Sequence, residues 1–389
     1  MVVAIGRGAA GTAVVLMLGL SASARAATLN ATATTLDAAW KAAAPGDTIK
    51  LSGSFGLTRL SWKSQTKAIT LDLTKAVFTN TLNISHVDGL KVVGGKFDVT
   101  SGVTQYGRAV VVYGGSNIWF DKTYIVGVGN QQGIAFNDTV KASVSRGTFK
   151  GLYVGVALTR VEGGNMTKNN VTAAVSDGID IGDSHHVTAT YNSCLAGNPG
   201  AGVHPDCIQL WSVDGRPIQS DNVISYNNAV GPTQGFTSFT AGGGGLRISF
   251  LHNTVTSSYP QGVACYDCVD STISYNSVKT IPGSRFMTNI NVIGGSNNTM
   301  VGNTIGVPVG LTKSPDIIPN TSATVDSFIT LPPVGDTSES SGALLARQSL
   351  GATAGAGAVP EPQAWLLMLI GFGAVGAAAR RRGARAVAA

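Results

Sequence analysis

Charged residues are scarce in this sequence. Only 12% of its 389 residues are Asp, Glu, Lys or Arg, whereas average soluble proteins have about 25%. The net charge of +6 also lies mostly at the two ends: residues 1–26 carry +2 and residues 360–389 carry +3, which leaves about +1 for residues 27–359. The middle of the chain therefore lacks an excess of basic residues, and no phosphate-binding loop follows a strand. We expect no nucleic-acid or nucleotide partner.

Cysteine and aromatic residues are also few, whereas glycine is abundant. The chain has 50 glycines, 7% aromatic residues and four cysteines, Cys194, Cys207, Cys265 and Cys268. Four cysteines allow three disulfide connectivities, and the sequence does not choose among them. The Cys265–Cys268 spacing suits redox or metal chemistry, but neither a strand followed by a helix nor a second ligand pair accompanies it. We therefore predict structural disulfides or buried thiols.

Both ends of the chain have sorting patterns. Arg7, an apolar run over residues 13–20 and the small-x-small triplet Ala24-Arg25-Ala26 predict a signal peptide over residues 1–26. The other end, residues 359–389, has Val-Pro-Glu-Pro, then an apolar run and then three arginines. This tail resembles the PEP-CTERM sorting signal of Gram-negative bacteria. The resemblance implies an exported protein that is anchored transiently in the inner membrane, trimmed by an exosortase, and passed to the cell surface or extracellular matrix.

A short helix is predicted near the start of the mature chain. Residues 34–43 have a helical pattern, with Thr34 or Thr35 as N-cap and Pro45-Gly46 as the end. A helix followed by PGDTI resembles the start of secreted right-handed parallel β-helix proteins of the pectate lyase-like superfamily, in which the helix covers the open end of the coil. The predicted divisions are an N-terminal cap over 27–67, a single-stranded right-handed parallel β-helix over 68–306, and a C-terminal cap with a flexible linker over 307–358.

A repeat with a period in the twenties supports the solenoid. Its marker is an asparagine followed by any residue and then an apolar one, and it begins at Asn169, Asn192, Asn228, Asn253, Asn276 and Asn303. Such a period is typical of one supersecondary unit per turn of a coil. We expect each asparagine to occupy a left-handed turn position, and its amide to hydrogen-bond to the next amide along the coil.

Each repeat also has a leading strand of alternating polarity. The outward residues of these strands are predicted to be Ala135, Ala157, Asp180, Gln209, Ala264 and Asn291. Small residues on both sides of a polar centre favour a groove floor. Two Gly-rich stretches, 197–205 and 231–245, exceed the period and are predicted to be loops beside this groove.

Two leading strands begin with an aspartate. Asp177-Gly-Ile-Asp-Ile and Asp206-Cys-Ile-Gln-Leu share one pattern. In adjacent turns the two aspartates would lie about 4.8 Å apart, so they would share a proton and one pKa would rise. A glycoside hydrolase needs one protonated and one ionised carboxyl group. We predict Asp177 and Asp206 as catalytic residues, with His204 tuning or replacing one role. The predicted substrate-binding residues are Asp180, Gln209, Trp211 and Arg247.

The segments SDGIDI, VTATYNSCLAG and PDCIQL are similar to the polygalacturonase family of glycoside hydrolases, in which NTDGID is followed one turn later by GDDCI. The resemblance implies that Asp177 and Asp206 occupy two of the family's three acidic positions. Pro205 replaces the third acid, and His204 replaces the glycine before it. No Gly-His-Gly follows, and Arg247 is the nearest basic candidate.

Two other functions remain open. A polysaccharide lyase or epimerase must neutralise a uronate carboxylate and place a base at C5. Its candidate Ca²⁺ ligands are Asp177, Asp180, Asp183 and Asp206, and its candidate bases are Arg247, Lys168 and His204. A non-catalytic matrix protein would instead stack aromatic side chains on sugar rings, and the candidates are Trp211, Tyr153, Tyr226 and Tyr259. In each case we expect a monomer with a polysaccharide ligand, and no cofactor or metal unless a lyase uses Ca²⁺.

Overall fold

The computed structural model describes residues 26–199, 203–239, 244–306 and 324–331. These residues form a single-stranded, right-handed parallel β-helix of about 11 turns, which confirms the predicted fold class. The described elements, in chain order, are β1 (Thr28–Ala31), α1 (Leu36–Ala42), β2 (Thr48–Phe55), β3 (Thr58–Phe78), β4 (Leu82–Val93), β5 (Lys96–Asp98), β6 (Arg108–Tyr113), β7 (Ser116–Asp121), β8 (Tyr124–Val126), β9 (Gln132–Asn137), β10 (Val140–Ser145), β11 (Thr148–Lys150), β12 (Val154–Thr159), β13 (Glu162–Thr167), β14 (Asn170–Thr172), β15 (Ile179–Gly182), β16 (His185–Thr190), β17 (Ser193–Leu195), β18 (Asp206–Trp211), β19 (Val223–Ser225), β20 (Asn228–Gly231), β21 (Gln234–Ser238), β22 (Ser249–Leu251), β23 (Thr254–Ser257), β24 (Gln261–Tyr266), β25 (Thr272–Ser274), β26 (Ser277–Thr280), β27 (Asn289–Ile293), β28 (Thr299–Gly306) and β29 (Thr324–Leu331).

Each turn of the coil contributes a strand to each of three parallel ladders. Ladder 1 contains the start of β4 and then β6, β9, β12, β15, β18, β21, β24 and β27. Ladder 2 contains the end of β4 and then β7, β10, β13, β16, β19, β22, β25 and β28. Ladder 3 contains the end of β3 and then β5, β8, β11, β14, β17, β20, β23, β26 and the end of β28. Equivalent residues of successive turns therefore stack about 4.8 Å apart.

The apolar residues of each strand face the inside of the coil. Ile179 and Ile181 of β15, for example, are fully buried and pair in register with Ile208 and Leu210 of β18. Since every turn repeats this alternation, the core is one continuous column along the axis.

Helix α1 covers the N-terminal end of this core. Leu36 and Trp40 are buried against it, so the apolar interior of the first turn is shielded from solvent. The hydroxyl of the N-cap residue Thr35 accepts a hydrogen bond from the backbone N–H of Thr32 at 2.9 Å and caps no helical N–H. Parallel pairing starts at Thr28 with Thr48, upstream of the predicted boundary at residue 68.

A column of buried asparagines, here called the asparagine stack, runs between ladders 2 and 3. It consists of Asn169, Asn192, Asn227, Asn253, Asn276 and Asn303. The Nδ2 of every member except the last, Asn303, donates to the Oδ1 of the next member at 2.9–3.1 Å, and each Nδ2 also donates to a backbone carbonyl. The predicted amide stacking is therefore present. Two details were wrong. Asn227 is the member of the stack and Asn228 begins β20, while the left-handed residue is the one before each asparagine, such as Tyr226 with φ 56°.

The predicted loop over residues 231–245 was wrong in part. It contains β21, a leading strand of ladder 1 whose Phe236 enters the core. The strand was missed because its sequence, QGFTS, has a single large apolar residue. A longer connection that the sequence did not reveal lies between β18 and β19, over residues 212–222.

Residues 1–25 of the predicted signal peptide and the predicted sorting tail 359–389 lie outside the described residues. The same holds for the predicted cap and linker over 307–358 except for β29, which pairs with β28. Among the helices of the described ranges, none has the length and apolarity needed to cross a membrane.

Candidate active site

Asp177 and Asp206 lie side by side on ladder 1. The register that pairs Ile179 with Ile208 places the two aspartates in equivalent positions of adjacent turns. The backbone N–H of Asp206 donates to Oδ1 of Asp177 at 3.0 Å. The sequence pattern thus identified two carboxyl groups that the fold brings together.

Both carboxyl groups are buried. Asp177 is 6% exposed and Asp206 is 1% exposed. Oδ2 of Asp177 accepts a hydrogen bond from the hydroxyl of Ser176 at 2.9 Å. Burial raises the pKa of Asp177 to about 6, and the hydrogen bonds from the Asp206 N–H and the Ser176 hydroxyl only partly oppose it.

The carboxylate of Asp206 is held by the ladder 1 face. Its Oδ1 accepts from the hydroxyl of Thr237 at 2.9 Å, and its Oδ2 lies 3.4 Å from Nε2 of Gln209. Gln209, a predicted binding residue, is itself buried. Thr237 was missed because it belongs to β21, which the sequence analysis treated as loop.

Asp180 is the most accessible of the three acids. It points outward from β15, is half-buried, and accepts a hydrogen bond from the indole N–H of Trp211. Burial, and next the negative charge of Asp177, raise the pKa of Asp180 well above its usual range. The negative charge of Asp177 thus couples the ionisation of the two carboxyl groups. The sequence pattern predicts Asp177 and Asp206 as the catalytic pair and Asp180 as a binding residue, so the coupling of Asp180 with Asp177 adds to that prediction.

Two tyrosines border the acids on the side of the preceding turns. The ring of Tyr153 meets that of Tyr106 edge-on, with centroids 5.2 Å apart. Burial and the charge of Asp177 raise the pKa of Tyr153, so its phenol stays protonated and can donate a hydrogen bond. Trp211 lies over Gly182, where a Cβ would come within 2.4 Å of the indole ring, so glycine is required beneath it.

The two predicted basic residues occupy different places. His204 is exposed, and its Nδ1 lies 3.4 Å from Nε2 of Gln234, the residue that pairs with Asp206 in the next turn. Arg247 lies two residues before β22 of ladder 2. Its guanidinium makes a bidentate ion pair with Asp221, with both contacts at 2.6 Å. That pair holds the pKa of Asp221 at about 2. A binding role for Arg247 stays a prediction.

A disulfide lies next to the group formed by Asp177, Asp180 and Asp206, here called the acid site. Cys194 of β17 bonds to Cys207, the residue after Asp206, and Cys265 bonds to Cys268. One of the three connectivities is thereby selected, and all four cysteines are paired. The first bridge fixes the backbone of Asp206, which orients Asp177.

No three His, Cys, Asp or Glu side chains within the described ranges come together so that they could hold a metal ion. The adjacent His185 and His186 have separate partners, Ser220 and Glu162.

Comparison with known proteins identifies the C-terminal segment. Residues 358–382 match the PEP-CTERM protein-sorting motif. This chain carries a PEP-CTERM tail. The motif indicates export with membrane-anchored sorting in a Gram-negative bacterium. A comparison with curated protein sequences finds no match.

Several solved structures share the β-helix of this PEP-CTERM protein. An alginate lyase from Paenibacillus sp. str. FPU-7 is 18% identical, with a TM-score of 0.51 over 69% of this chain and 98% of the lyase. The A-module of the mannuronan C-5 epimerase AlgE6 from Azotobacter vinelandii is 12% identical, with a TM-score of 0.53 over 78% and 94%. PfbA, a surface adhesin of Streptococcus pneumoniae, is 10% identical, with a TM-score of 0.50 over 79% and 92%. At these identities the likeness establishes the fold alone.

Proposed function

We propose that this PEP-CTERM protein is an exported surface enzyme that cleaves a polysaccharide by acid–base catalysis, as glycoside hydrolases do. The observation that carries the proposal is the pair Asp177 and Asp180, two neighbouring carboxyl groups with raised pKa values on the ladder 1 face. Such a pair holds one proton to donate and one carboxylate to accept, which is the requirement for breaking a glycosidic bond.

The roles follow from exposure. Asp180 faces outward and donates its proton to the leaving oxygen, while Asp177 is the ionised partner that activates water or attacks the sugar. Asp206 orients Asp177 through its backbone N–H. Trp211 and His204 flank the acids from the following turns and contact the sugar.

The second candidate is a lyase or epimerase acting on a uronan. The observation in its favour is Tyr153, whose protonated phenol lies beside Asp177 and Asp180 and can, together with protonated Asp180, neutralise a uronate carboxylate. The alginate lyase and the mannuronan epimerase with the same fold add support. Addition of Ca²⁺ or EDTA tests the predicted dependence of a lyase on Ca²⁺.

The third candidate is a polysaccharide-binding surface protein without catalysis. Its support is the surface adhesin of the same fold and the near-complete burial of Asp206, which limits direct contact with a substrate.

One assay separates the three. The purified protein is incubated with alginate, polygalacturonate and bacterial exopolysaccharides, and new reducing ends, the absorbance of unsaturated sugars and the proton NMR spectrum are followed. New reducing ends alone indicate hydrolysis. New reducing ends together with the absorbance of unsaturated sugars indicate elimination, and a changed NMR spectrum without cleavage indicates epimerisation. Binding without any of these supports the third candidate.

The matched variants are Asp180→Asn and Asp221→Asn. Removal of the proton donor lowers the turnover rate roughly 10²- to 10⁴-fold, whereas Asp221 lies outside the acid site and its variant retains turnover. Equal turnover in both variants contradicts the assigned role of Asp180.

Sorting completes the proposal. We propose cleavage after Ala26, transient anchoring by residues 359–389, removal of that tail by an exosortase, and final residence as a monomer at the cell surface or in the matrix. Deletion of 359–389 is expected to leave the exported protein soluble in the periplasm and absent from the cell surface and matrix, because the tail is the signal for that transfer. Unchanged delivery of the truncated protein to the surface would count against this route.

A further inference from the structure

The charges of the middle of the chain are divided unevenly along the coil. Residues 27–175 contain 15 Lys and Arg against 8 Asp and Glu, a net charge of +7. Residues 176–306 contain 4 Lys and Arg against 8 Asp, a net charge of −4. The near-neutral total therefore conceals a basic N-terminal part, which attracts anionic ligands.

A groove of about 680 Å³ lies in this basic part, at the corner between ladders 2 and 3. This basic groove is lined by Lys75, Val77, Gly94, Lys96, Lys122 and Tyr124. Register stacks three successive corners there, which consist of residues 73–76, 94–95 and 122–123. The middle corner is Gly94-Gly95, so it contributes no side chain and the groove opens above its backbone.

Glycine is required at this opening. Gly94 and Gly95 have left-handed backbones, with φ of 70° and 94°. A Cβ on either residue would also come within 2.9 Å of a side-chain atom of the corner before, on Thr74 or Leu73. The gap between the outer two corners is thus built into the backbone.

Three lysines surround the gap. Lys75 lies in the corner before the two glycines and Lys122 in the corner after them, so they are two turns apart, or about 10 Å along the axis. Lys96 follows the glycines on ladder 3, and all three lysines are exposed. Within the described ranges, no acidic side chain forms an ion pair with Lys75 or Lys122, while Lys96 pairs with Asp98 at 3.3 Å. Two positive charges of the basic groove therefore remain uncompensated.

The ladder 3 side of the basic groove also offers apolar surface. Val77 and Tyr124 flank Lys96 in register and are 37% and 38% exposed. Their carbon atoms can contact the C–H groups of a sugar, and the phenol of Tyr124 can donate a hydrogen bond. A sugar that carries a carboxylate matches both kinds of surface. An inorganic anion would leave the apolar side chains without a partner.

Positive charge continues along the same corner beyond the basic groove. Lys122 is followed, one turn at a time, by Arg146 and Lys168. Arg146 makes a bidentate ion pair with Asp121, at 2.8 and 2.6 Å, so Asp121 does not repel an anion there. Lys168 is exposed and forms no ion pair among the described residues. A polymer with a negative charge on each sugar can follow this corner, whereas a single anion would occupy the basic groove alone.

We propose that the basic groove binds a uronic acid residue of an anionic polysaccharide, whose chain continues along the corner over Lys122 and Lys168. The corner between ladders 2 and 3 lies across the core from ladder 1 and the acid site, so this is a second carbohydrate site. It tethers the protein to an acidic polymer whether or not the acid site cleaves that polymer. The proposal therefore does not depend on the proposed function.

The test measures binding of the full-length protein to alginate and to polygalacturonate immobilised on a sensor surface. The double variant Lys75→Gln/Lys122→Gln is expected to raise the dissociation constant for at least one of these uronans about tenfold. Lys122→Arg, which keeps the charge, is expected to bind as wild type does. The difference between wild type and the double variant should vanish at about 1 M NaCl, because salt screens exposed charges.

The matched control for Lys122→Gln is Lys141→Gln. Both lysines are exposed, have left-handed backbones with φ of 58° and 57°, and form no ion pair among the described residues. Lys141 lies near the opposite end of ladder 2, in β10. Each variant removes one positive charge, so only a site at the basic groove makes Lys122→Gln bind the uronan more weakly than Lys141→Gln does.

Four results overturn the proposal: equal losses in the two single variants, unchanged binding in the double variant, no binding to either uronan, or binding to phosphatidylglycerol vesicles in place of the uronans. The Asp180→Asn variant separates this proposal from the proposed function, because it is expected to lose turnover and keep the lysine-dependent binding. Lysine-dependent binding by a wild type without turnover would contradict the chemistry and leave the basic groove. Turnover by the wild type with unchanged binding in the double variant would do the reverse.

Discussion

The asparagine stack and the acid site are two columns of buried polar side chains in one coil, and they have opposite energetics. Each asparagine inside the stack donates to one carbonyl and to the next amide, and its Oδ1 accepts from the asparagine before it. The donors and acceptors are matched, so burial costs little. The ionised carboxylates of Asp177 and Asp180 accept hydrogen bonds but cannot donate any. Burial disfavours the charged form and therefore raises the pKa values of both groups.

The difference assigns stability to the asparagine stack and, under the proposed function, chemistry to the acids. A matched amide column holds successive turns in register. Neighbouring carboxyl groups that are shielded from solvent have raised pKa values and hold a proton at a higher pH than free carboxyl groups do, which is useful for acid–base chemistry. Substitutions that exchange the two kinds of group test this contrast.

The largest effect is expected when an acid enters the stack. In Asn227→Asp the new carboxylate faces the carbonyl of Ala189 and the Oδ1 of Asn253, where the amide had donated. At pH 7 the free energy of unfolding is expected to fall by about 5 kcal/mol. The loss should shrink at pH 4, because a protonated carboxyl group can donate once. Chemical unfolding followed by circular dichroism at both pH values measures it, and a pH-independent loss contradicts the argument.

Simple removal of one amide is expected to cost somewhat less. Asn227→Ala leaves the N–H and Nδ2 of Asn192 and the carbonyl of Ala189 without their partners. The expected loss is about 4 kcal/mol. Asn228→Ala, one residue later and only partly buried, is the control and is expected to cost under about 1 kcal/mol. Equal losses would mean that the stack does not hold the register.

The sequence predicted the coil well because its signals are local and repeat. Alternating strands, a period in the twenties and a helix before the first turn each follow from a few adjacent residues. Asn227 was confused with Asn228 because two asparagines are adjacent and only the backbone conformation of Tyr226 decides between them. Strand β21 was missed because glycine, serine and threonine are typical of loops, and the neighbouring turns supply the burial that makes QGFTS a strand.

The sequence predicted that Asp177 and Asp206 lie in adjacent turns, but it did not predict the coupling of Asp177 with Asp180. The repeat placed Asp177 beside Asp206, which register alone determines. The link between Asp177 and Asp180 depends on how much solvent each side chain loses, and on Trp211 folding over Gly182 from the next turn. Neither follows from spacing in the sequence. The partners Thr237 and Ser176 lacked a signal for the same reason.

A smaller effect is expected from turning an acid into an amide. The folded pKa of Asp177, about 6, lies above its unfolded value of 3.8. The native state therefore binds the proton more tightly, and this contribution to stability is present below pH 4 and lost as the pH rises toward 6. Asp177→Asn removes the dependence, so relative to wild type it should gain about 2 kcal/mol between pH 4 and pH 7.

The control for this prediction is Asp221→Asn. The ion pair with Arg247 lowers the pKa of Asp221, so its contribution is present above pH 4 and lost as the pH falls. When unfolding is measured at pH 4 and pH 7, the Asp221→Asn variant should therefore keep a nearly constant difference from wild type, whereas Asp177→Asn gains. A difference between Asp177→Asn and wild type that stays constant with pH would show that Asp177 ionises as freely as in the unfolded chain.

The smallest expected effect distinguishes the two disulfides. Cys194–Cys207 spans 13 residues and Cys265–Cys268 spans 3. Loop entropy then predicts losses of about 3 kcal/mol for the double serine variant of the first bridge and about 2 kcal/mol for that of the second. Only the first bridge borders Asp206, whose N–H orients Asp177. Its loss should therefore also lower turnover at a temperature where both variants remain folded, and equal turnover in the two would separate the disulfide from the acid site.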